Sequence, residues 1–230
     1  MSRSFEQLEG IQAESKKRLN QRLDRYFLLG NLKKRENALY NILNEFGPNI
    51  KGPALLFSDV DDFTLESVRR DVITSTLCWG YPSHYTITMM TKFIGSSPTV
   101  ECNAGNGLWS CLLQLRGINI IATDIQPWDR CFTEVKSLNA MDAVQTCLPN
   151  KGCIFTCWPE YTSNYMTEAI QWALDHDLVE KIIYIGEDAG GCTANEALHH
   201  LLKERFVEET EIDNPRWAGI NDHVHCYRVK

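Results

Sequence analysis

Residues 99–107 read TVECNAGNG and are the most informative segment of the 230-residue chain for its fold class. A short strand is predicted over residues 99–102, and a turn of small residues follows. Residues 108–115 then have the apolar spacing of a helix, which Gly117 closes. Small residues let the backbone turn sharply and approach a ligand, and the N-terminus of the next helix offers free amide donors. The segment therefore predicts either a ligand-binding loop or a plain strand-to-helix turn.

A second strand-like segment follows the predicted helix. Residues 118–123, INIIAT, are rich in β-branched side chains and lead to Asp124, about 20 residues beyond the glycine turn. A carboxylate at this point can accept hydrogen bonds from both ribose hydroxyls of an adenosine ligand. Its alternative role is to cap a helix that Pro127 opens. The glycine turn and the carboxylate together favour a nucleoside-binding site.

Strands and helices alternate outward from this centre to the C-terminus. Further strands are predicted at residues 153–158, 181–185, 206–212 and 224–229, with helices at 83–94, 164–174 and 193–205. This alternation predicts an α/β fold with a doubly wound, mostly parallel sheet, and the closing strand–loop–strand predicts a C-terminal antiparallel pair. Ligands of such sheets bind at the carboxyl ends of the strands.

The N-terminal part has a different pattern. Apolar residues recur at helical spacing from Ser4 to about Phe46, and residues 52–62 have the composition of a loop-rich connector. We therefore predict N-terminal helices and a lid segment over residues 1–82, and an α/β domain over residues 83–230. The charged helices either expose a solvated face or serve self-association or a protein partner.

Composition narrows the classes of function. The chain is 43% hydrophobic and 23% charged, with a net charge of −7, which favours a small-molecule or protein substrate over nucleic acid. Nine cysteines without a Cys-x-x-Cys pair are typical of a reducing compartment. No stretch of about 18 apolar residues and no apolar signal core occurs. The sequence therefore predicts a soluble, cytoplasmic protein that does not bind membranes.

The segments around Gly105 and Asp124 resemble the class I S-adenosylmethionine-dependent methyltransferases, whose first motif is an acidic residue followed by alternating glycines. The resemblance covers about residues 83–228 and implies a Rossmann-like methyltransferase fold with S-adenosylmethionine as the cofactor. The cofactor-binding residues that it implies are Glu101, Asn103, Ala104, Gly105, Gly107, Asp124, Asp142 and Cys157.

The resemblance also implies individual roles for some of these residues. Gly105 and Gly107 would lie under the methionine portion of the cofactor, and Glu101 would orient its amino group directly or through water. Asp124 would hold the ribose. Asp142 would either face the adenine amino group or be an ordinary surface carboxylate.

Asn103 departs from the family pattern, since it replaces the first glycine. Its side chain could tilt the loop, bind the cofactor or mark a degenerate site, and asparagine tolerates left-handed backbone angles. A nicotinamide dinucleotide is the rival ligand. It prefers Gly-x-Gly-x-x-Gly, however, and Ser110 stands where the third glycine would be.

The segment after the strand at 153–158 resembles the Asp/Asn-Pro-Pro-aromatic motif of amino-group methyltransferases. Here Trp158 replaces the polar residue and Glu160 replaces the second proline, so methylation of a base amino group is disfavoured. Trp158 and Tyr161 could wall a cavity for a planar or cationic group, or be packing aromatics.

Glu187 follows the next strand and precedes a double glycine, and it is our candidate for a general base or a cation-holding group. The alternative is a surface loop that enters a helix. The predicted catalytic set is Glu187, Trp158, Glu160 and Tyr161.

We predict no metal site, because His199 and His200 cannot face one point and because His223 and His225 have no cysteine pair nearby. The function predicted from the sequence is an S-adenosylmethionine-dependent methyltransferase of unknown substrate. The alternative is a catalytically inactive methyltransferase-like binding module or cofactor-binding regulatory subunit.

Overall fold

The computed structural model describes the backbone of residues 5–48 and 60–230. The chain divides into two compact units. The first comprises the described residues of Met1–Ser83 together with Pro215–Asn221, and the second comprises His84–Asn214 and Asp222–Lys230. Within the described residues, no helix has the length and the apolar character needed to cross a membrane.

The first unit contains helices α1 (Phe5–Phe27), α2 (Leu32–Phe46) and α3 (Val60–Thr74). The two predicted apolar stripes form α1 and α2, whose buried side chains are Leu19, Leu23, Tyr26, Leu39, Ile42 and Leu43. Asn31 caps α2, because its side-chain oxygen accepts the Lys34 N–H at 3.1 Å.

Helix α3 was not predicted. The predicted connector was wrong at its end, because residues 60–62 already belong to α3. The earlier part of that connector, residues 52–59, lies outside the described residues. In the first unit, Tyr81 packs edge-on against Trp217, with ring centroids 5.9 Å apart. This contact accounts for the grouping of residues 215–221 with the N-terminal residues.

The second unit alternates strands and helices. In chain order they are α4 (His84–Ile94), β1 (Thr99–Cys102), α5 (Leu108–Leu115), β2 (Ile120–Asp124), β3 (Val135–Ser137), α6 (Ala140–Cys147), β4 (Gly152–Cys157), α7 (Tyr165–Asp175), β5 (Val179–Gly186), α8 (Glu196–Arg205), β6 (Phe206–Ile212) and β7 (His223–Val229).

These strands form one sheet in the order β3-β2-β1-β4-β5-β7-β6. The first five are parallel, and β7 runs antiparallel to both β5 and β6. The predicted fold class, a doubly wound and mostly parallel sheet with a C-terminal antiparallel pair, is therefore confirmed. Every residue of β1 and β4 is buried, as expected where helices cover both faces of a parallel sheet. The direction of winding reverses between β1 and β4, and such a switch point is where ligands bind.

The segment after β2 differs from the prediction. The helix predicted at Pro127 is wrong, since a loop leads from Asp124 to the short strand β3. The loop is held against the glycine turn, because Trp128 and Phe132 donate their N–H groups to the carbonyls of Gly105 and Asn106. Such tertiary hydrogen bonds satisfy the backbone without a helix.

Candidate functional site

The glycine turn after β1 contains three alternating residues with left-handed backbone angles. The φ angles are 64° at Asn103, 56° at Gly105 and 71° at Gly107. The Gly107 N–H closes the turn by donating to the carbonyl of Ala104 at 2.8 Å. A Cβ atom on Gly107 would lie 2.9 Å from the nearest methyl carbons of Thr133 and Val135, which is too close for a real side chain. The turn therefore requires glycine at 107 for both its backbone angle and its packing.

Asp124 joins the tip of β2 to this turn. One of its carboxylate oxygens accepts the Gly105 N–H at 2.8 Å, and the other accepts the Gln126 N–H at 2.8 Å. Cys102 and Thr123 are register partners, so the ends of β1 and β2 lie side by side. Each carboxylate oxygen can accept a second hydrogen bond, so Asp124 keeps the capacity to bind hydroxyl groups.

Glu101 lies beneath the turn and is 1% exposed. Its Oε2 accepts hydrogen bonds from both the N–H and the hydroxyl of Ser110, in the first half of α5. Burial raises the pKa of this carboxyl to about 8, although the bonds from Ser110 oppose the rise. Glu101 therefore fastens α5 to β1, and its orientation of a cofactor amino group remains a prediction.

Asn103 directs its side chain along the sheet edge. Its amide Nδ2 donates to the hydroxyl of Thr156 on β4 at 3.2 Å and to the hydroxyl of Tyr165 on α7 at 2.5 Å. The residue that replaces the family's first glycine thus ties the β1 tip to its neighbour β4. Whether Asn103 tilts the loop, binds the cofactor or marks a degenerate site stays a prediction.

Two residues that sequence reasoning missed lie beside Asp124. Ile125 is 75% exposed, directly after the carboxylate, and offers an apolar surface to a ring held at this tip. Trp128 lies against the turn, since a Cβ on Gly105 would be 3.2 Å from its indole nitrogen. The sequence signal for Ile125 is its position. It is an apolar residue that follows the end of a predicted strand, where the chain leaves the buried sheet.

Asp142 belongs to the N-terminus of α6. Its N–H donates to the Asn139 side-chain oxygen at 2.9 Å, and its carboxylate accepts from the Asn139 amide at 2.8 Å. This reciprocal pair is a capping arrangement that stabilises the start of a helix. Its contact with adenine remains a prediction. Two other predicted cofactor-binding residues, Ala104 and Cys157, are both 9% exposed, at the tips of β1 and β4.

The tip of β4 has an unusual backbone. Trp158 has a φ of 54°, a left-handed angle that is rare for a bulky side chain. Its indole N–H donates to Asp222 at 3.0 Å, and Asp222 is 2% exposed. The next carbonyl, that of Pro159, accepts the Ala194 N–H at 2.8 Å. Asp222, which directly precedes β7, thus fixes the indole.

The remaining predicted catalytic residues lie on the two loops after β4 and β5. Glu160 and Tyr161 are exposed, and Glu160 accepts a hydrogen bond from Thr162 at 2.6 Å. Glu187 folds back onto its own loop, where its Oε2 accepts the Cys192 N–H at 2.8 Å. In this conformation Glu187 closes the loop, and its role as a base stays a prediction.

No family model and no curated protein matches the chain. Several solved structures are similar in fold. The 1,6-didemethyltoxoflavin-N1-methyltransferase of Burkholderia thailandensis, crystallised with S-adenosylhomocysteine, has a TM-score of 0.47 and 15% identity, over 80% of this chain and 94% of that one. The magnesium protoporphyrin IX methyltransferase of Synechocystis PCC 6803, crystallised with S-adenosylmethionine, has a TM-score of 0.43 and 12% identity, over 76% and 100%. The protein 1320 of Thermoplasma acidophilum has a TM-score of 0.43 and 16% identity, over 84% and 97%.

These likenesses are distant, and the strand order of the second unit defines the fold. The five parallel strands, the switch point at β1 and the antiparallel β7 are the arrangement that the sequence resemblance implied. The chain has the class I methyltransferase-like fold.

Proposed function

We propose that the chain is an S-adenosylmethionine-dependent methyltransferase of the cytoplasm. The observation that carries the proposal is the hydrogen bond between Asp124 and the Gly105 N–H, which joins a glycine-lined strand tip to a carboxylate-bearing one. An adenosyl ligand needs both elements at once, namely backbone that it can approach closely and a carboxylate for the ribose hydroxyls.

In the proposed complex, the chain's residues chiefly hold the cofactor in place. Asp124 accepts the ribose hydroxyls, Ile125 supports the adenine ring, and the turn at Gly105 and Gly107 lies under the methionine portion. Methyl transfer from a sulfonium is a direct displacement, so alignment of the acceptor with the methyl group is the main requirement. Alignment of reactants is worth about 7–11 kcal/mol in favourable systems.

In the proposed complex, the tips of β4 and β5 contact the substrate. The Pro159 carbonyl already accepts the Ala194 N–H, so one lone pair of this oxygen remains for a substrate amine. Trp158 and the exposed Tyr161 offer aromatic surface for a planar or cationic acceptor. The net charge of −7 favours a small molecule or a protein side chain over a nucleic acid.

Calorimetry with S-adenosylmethionine and S-adenosylhomocysteine tests the proposal. We expect Asp124→Ala, and also the nearly isosteric Asp124→Asn, to weaken binding by about tenfold or more, or about 1.4 kcal/mol. The matched control is Asp175→Ala. Asp175 ends α7, which begins beside the tip of β4, so it lies toward the opposite edge of the sheet. Wild-type affinity in both Asp124 variants would remove the proposed pocket.

A catalytically inactive binding module is the second candidate. It is favoured by the hydrogen bonds that Pro159 and Glu187 accept from the N–H groups of Ala194 and Cys192, because both acceptors are partly occupied within the chain. Both candidates predict thermal stabilisation by the cofactor, about 2.7 kcal/mol at 100 times the dissociation constant. They differ in turnover. If addition of the purified chain to a cell extract depleted of it increases the transfer of a radioactive methyl group to any acceptor, the inactive module is excluded.

A further inference from the structure

Strands β6 and β7 carry a group of histidines and carboxylates outside the site described above. Glu208, Glu211 and His225 each bring one nitrogen or oxygen atom to within 4.8 Å of the others, and we call these three residues the β6–β7 cluster. Strands β4 and β5 separate β7 from β1, so the cluster is distinct from the glycine turn.

His225 is the buried member of the cluster, at 2% exposure. Its ring stacks against Tyr184 and Tyr227, with interplanar angles of 25° and 19°, which fix its orientation. Its Nδ1 lies 2.7 Å from Glu208 Oε1. Its Nε2 is buried without a hydrogen-bond partner, and a carboxylate oxygen of Asp188 lies 3.9 Å from it. Nδ1 is therefore the ring nitrogen that faces the carboxylate of Glu208.

A β-bulge directs the carboxylates toward this histidine. The register between β6 and β7 shifts between Glu208 and Thr210. As a result, Glu208 contacts His225, whereas its neighbour Glu209 pairs with Arg228 at 2.6 Å. Glu211 lies directly opposite His225 in the ladder. Bulges are features that re-aim side chains, often near sites of function.

The charges around His225 are predominantly negative. Among the described residues, Glu208, Glu211 and Asp188 form ion pairs only with histidines. A histidine carries a positive charge only when it is protonated. The carboxylates are also accessible, since the Glu208 and Glu211 side chains are 40% and 50% exposed. An ion could therefore reach them from solvent while His225 anchors it from within the sheet.

We propose that the β6–β7 cluster binds a divalent first-row transition-metal ion through Glu208, Glu211 and His225. One imidazole and two carboxylates suit such ions, whereas Mg²⁺ and Ca²⁺ prefer all-oxygen sites. The ion binds His225 through the Nδ1 lone pair of the neutral imidazole, and the single ring proton moves to Nε2, on the side of Asp188. Sequence reasoning compared only the histidines with cysteine pairs, so it did not consider carboxylates from the neighbouring strand.

Titration of the chelator-treated, tag-free full chain with Co²⁺ tests the proposal, with calorimetry and visible absorption as readouts. We expect one bound ion and no thiolate-to-cobalt charge-transfer band. Glu208→Gln and Glu211→Gln should each weaken binding by about tenfold or more. These glutamates are largely exposed, so their replacement leaves the fold intact, whereas replacement of the buried His225 would endanger it.

Glu209→Gln is the matched control, because Glu209 is the adjacent residue of the same bulge and pairs with Arg228 instead. Its Co²⁺ affinity should stay within about twofold of wild type, well short of the loss expected for a ligand variant. The proposal is overturned if the wild-type chain does not bind Co²⁺, if Glu208→Gln and Glu209→Gln bind it equally well, or if a thiolate band shows that a cysteine is the ligand. None of these results bears on cofactor binding by Asp124.

Discussion

The two halves of the sheet's carboxyl edge are built differently. At β1 and β2 the surface is mostly backbone, with left-handed angles at Gly105 and Gly107 and a carboxylate, Asp124, that accepts backbone N–H groups. At β4 and β5 the surface is made of large side chains. There Trp158 has a left-handed angle without being a glycine, and Glu187 is bonded to its own loop.

The two halves therefore have different expected roles, cofactor binding at β1–β2 and substrate selection at β4–β5. A backbone-lined turn beside a carboxylate suits any adenosyl ligand, whichever group receives the methyl. A left-handed Trp158 costs about 1–2 kcal/mol relative to an ordinary backbone angle, and the indole bond to buried Asp222 offsets part of this cost. Strain of this kind concentrates at functional sites, so we expect the β4–β5 half to determine the substrate.

Gly107→Ala is expected to have the largest effect, a loss of stability in the β1–β2 half of the edge. Gly107→Ala introduces a left-handed alanine, about 1–2 kcal/mol, and a clash with Thr133 and Val135, about 1–3 kcal/mol more. Gly95→Ala is the matched control, because Gly95 has a similar φ of 62° but no atom within 4 Å of the added Cβ. Urea unfolding should therefore show a clearly larger loss for Gly107→Ala. Equal losses would mean that the turn is not packed as described.

A smaller effect concerns the buried acid of the same half. The pKa of Glu101 is raised to about 8, above its value of about 4.5 in an exposed carboxyl. Below pH 4.5 both states are protonated. Between about pH 4.5 and 8 only the unfolded state loses the proton, so Glu101 lowers stability progressively as the pH rises. We expect the neutral variant Glu101→Gln to gain stability relative to wild type by on the order of a few kcal/mol between pH 5 and pH 8.

Urea unfolding of both proteins at pH 5, 6, 7 and 8 measures this difference, and other titrating groups cancel in it. Ser110→Ala is a useful companion variant, since removal of the hydroxyl that bonds Glu101 should raise the pKa of the carboxyl further and extend the wild-type trend to higher pH. A difference between Glu101→Gln and wild type that stays constant with pH would contradict a neutral Glu101.

The β1–β2 half of the edge could be predicted from the sequence better than the β4–β5 half. The glycine spacing and the carboxylate after the second strand are local sequence patterns, and they predicted that the tips of these two strands lie close together. The bonds of Asn103 to Thr156 and Tyr165 could not, because they join residues more than 50 positions apart. The pattern of β-branched and apolar residues identified β1, β2, β4 and β5, which are buried on both faces.

Short or locally ambiguous elements were harder to predict. Strand β3 has only three residues, two of them exposed, so it carries no apolar pattern. Pro127 is a common first residue of helices, but here tertiary bonds from Trp128 and Phe132 to the glycine turn decide the conformation. Likewise the helix predicted from residue 193 begins only at Glu196, and Asn195 caps it, since its side-chain oxygen accepts the Leu198 N–H at 2.9 Å. Thr193 is also of a residue type that commonly caps helices, and the sequence alone does not show which of the two has a partner.

Glu187→Gln, in the β4–β5 half, is expected to have the smallest effect on stability. In Glu187→Gln the amide oxygen can still accept the Cys192 N–H, so we expect a change in unfolding free energy within about 0.5 kcal/mol and unchanged S-adenosylmethionine affinity. Turnover should nevertheless fall if the carboxylate leaves this bond to act on the substrate, because an amide cannot accept a proton. Glu204→Gln is the control, because Glu204 lies at the far end of α8 and its side chain is 59% exposed. Weaker cofactor binding in Glu187→Gln would instead place Glu187 in the β1–β2 half of the site, and the division between the two halves would no longer hold.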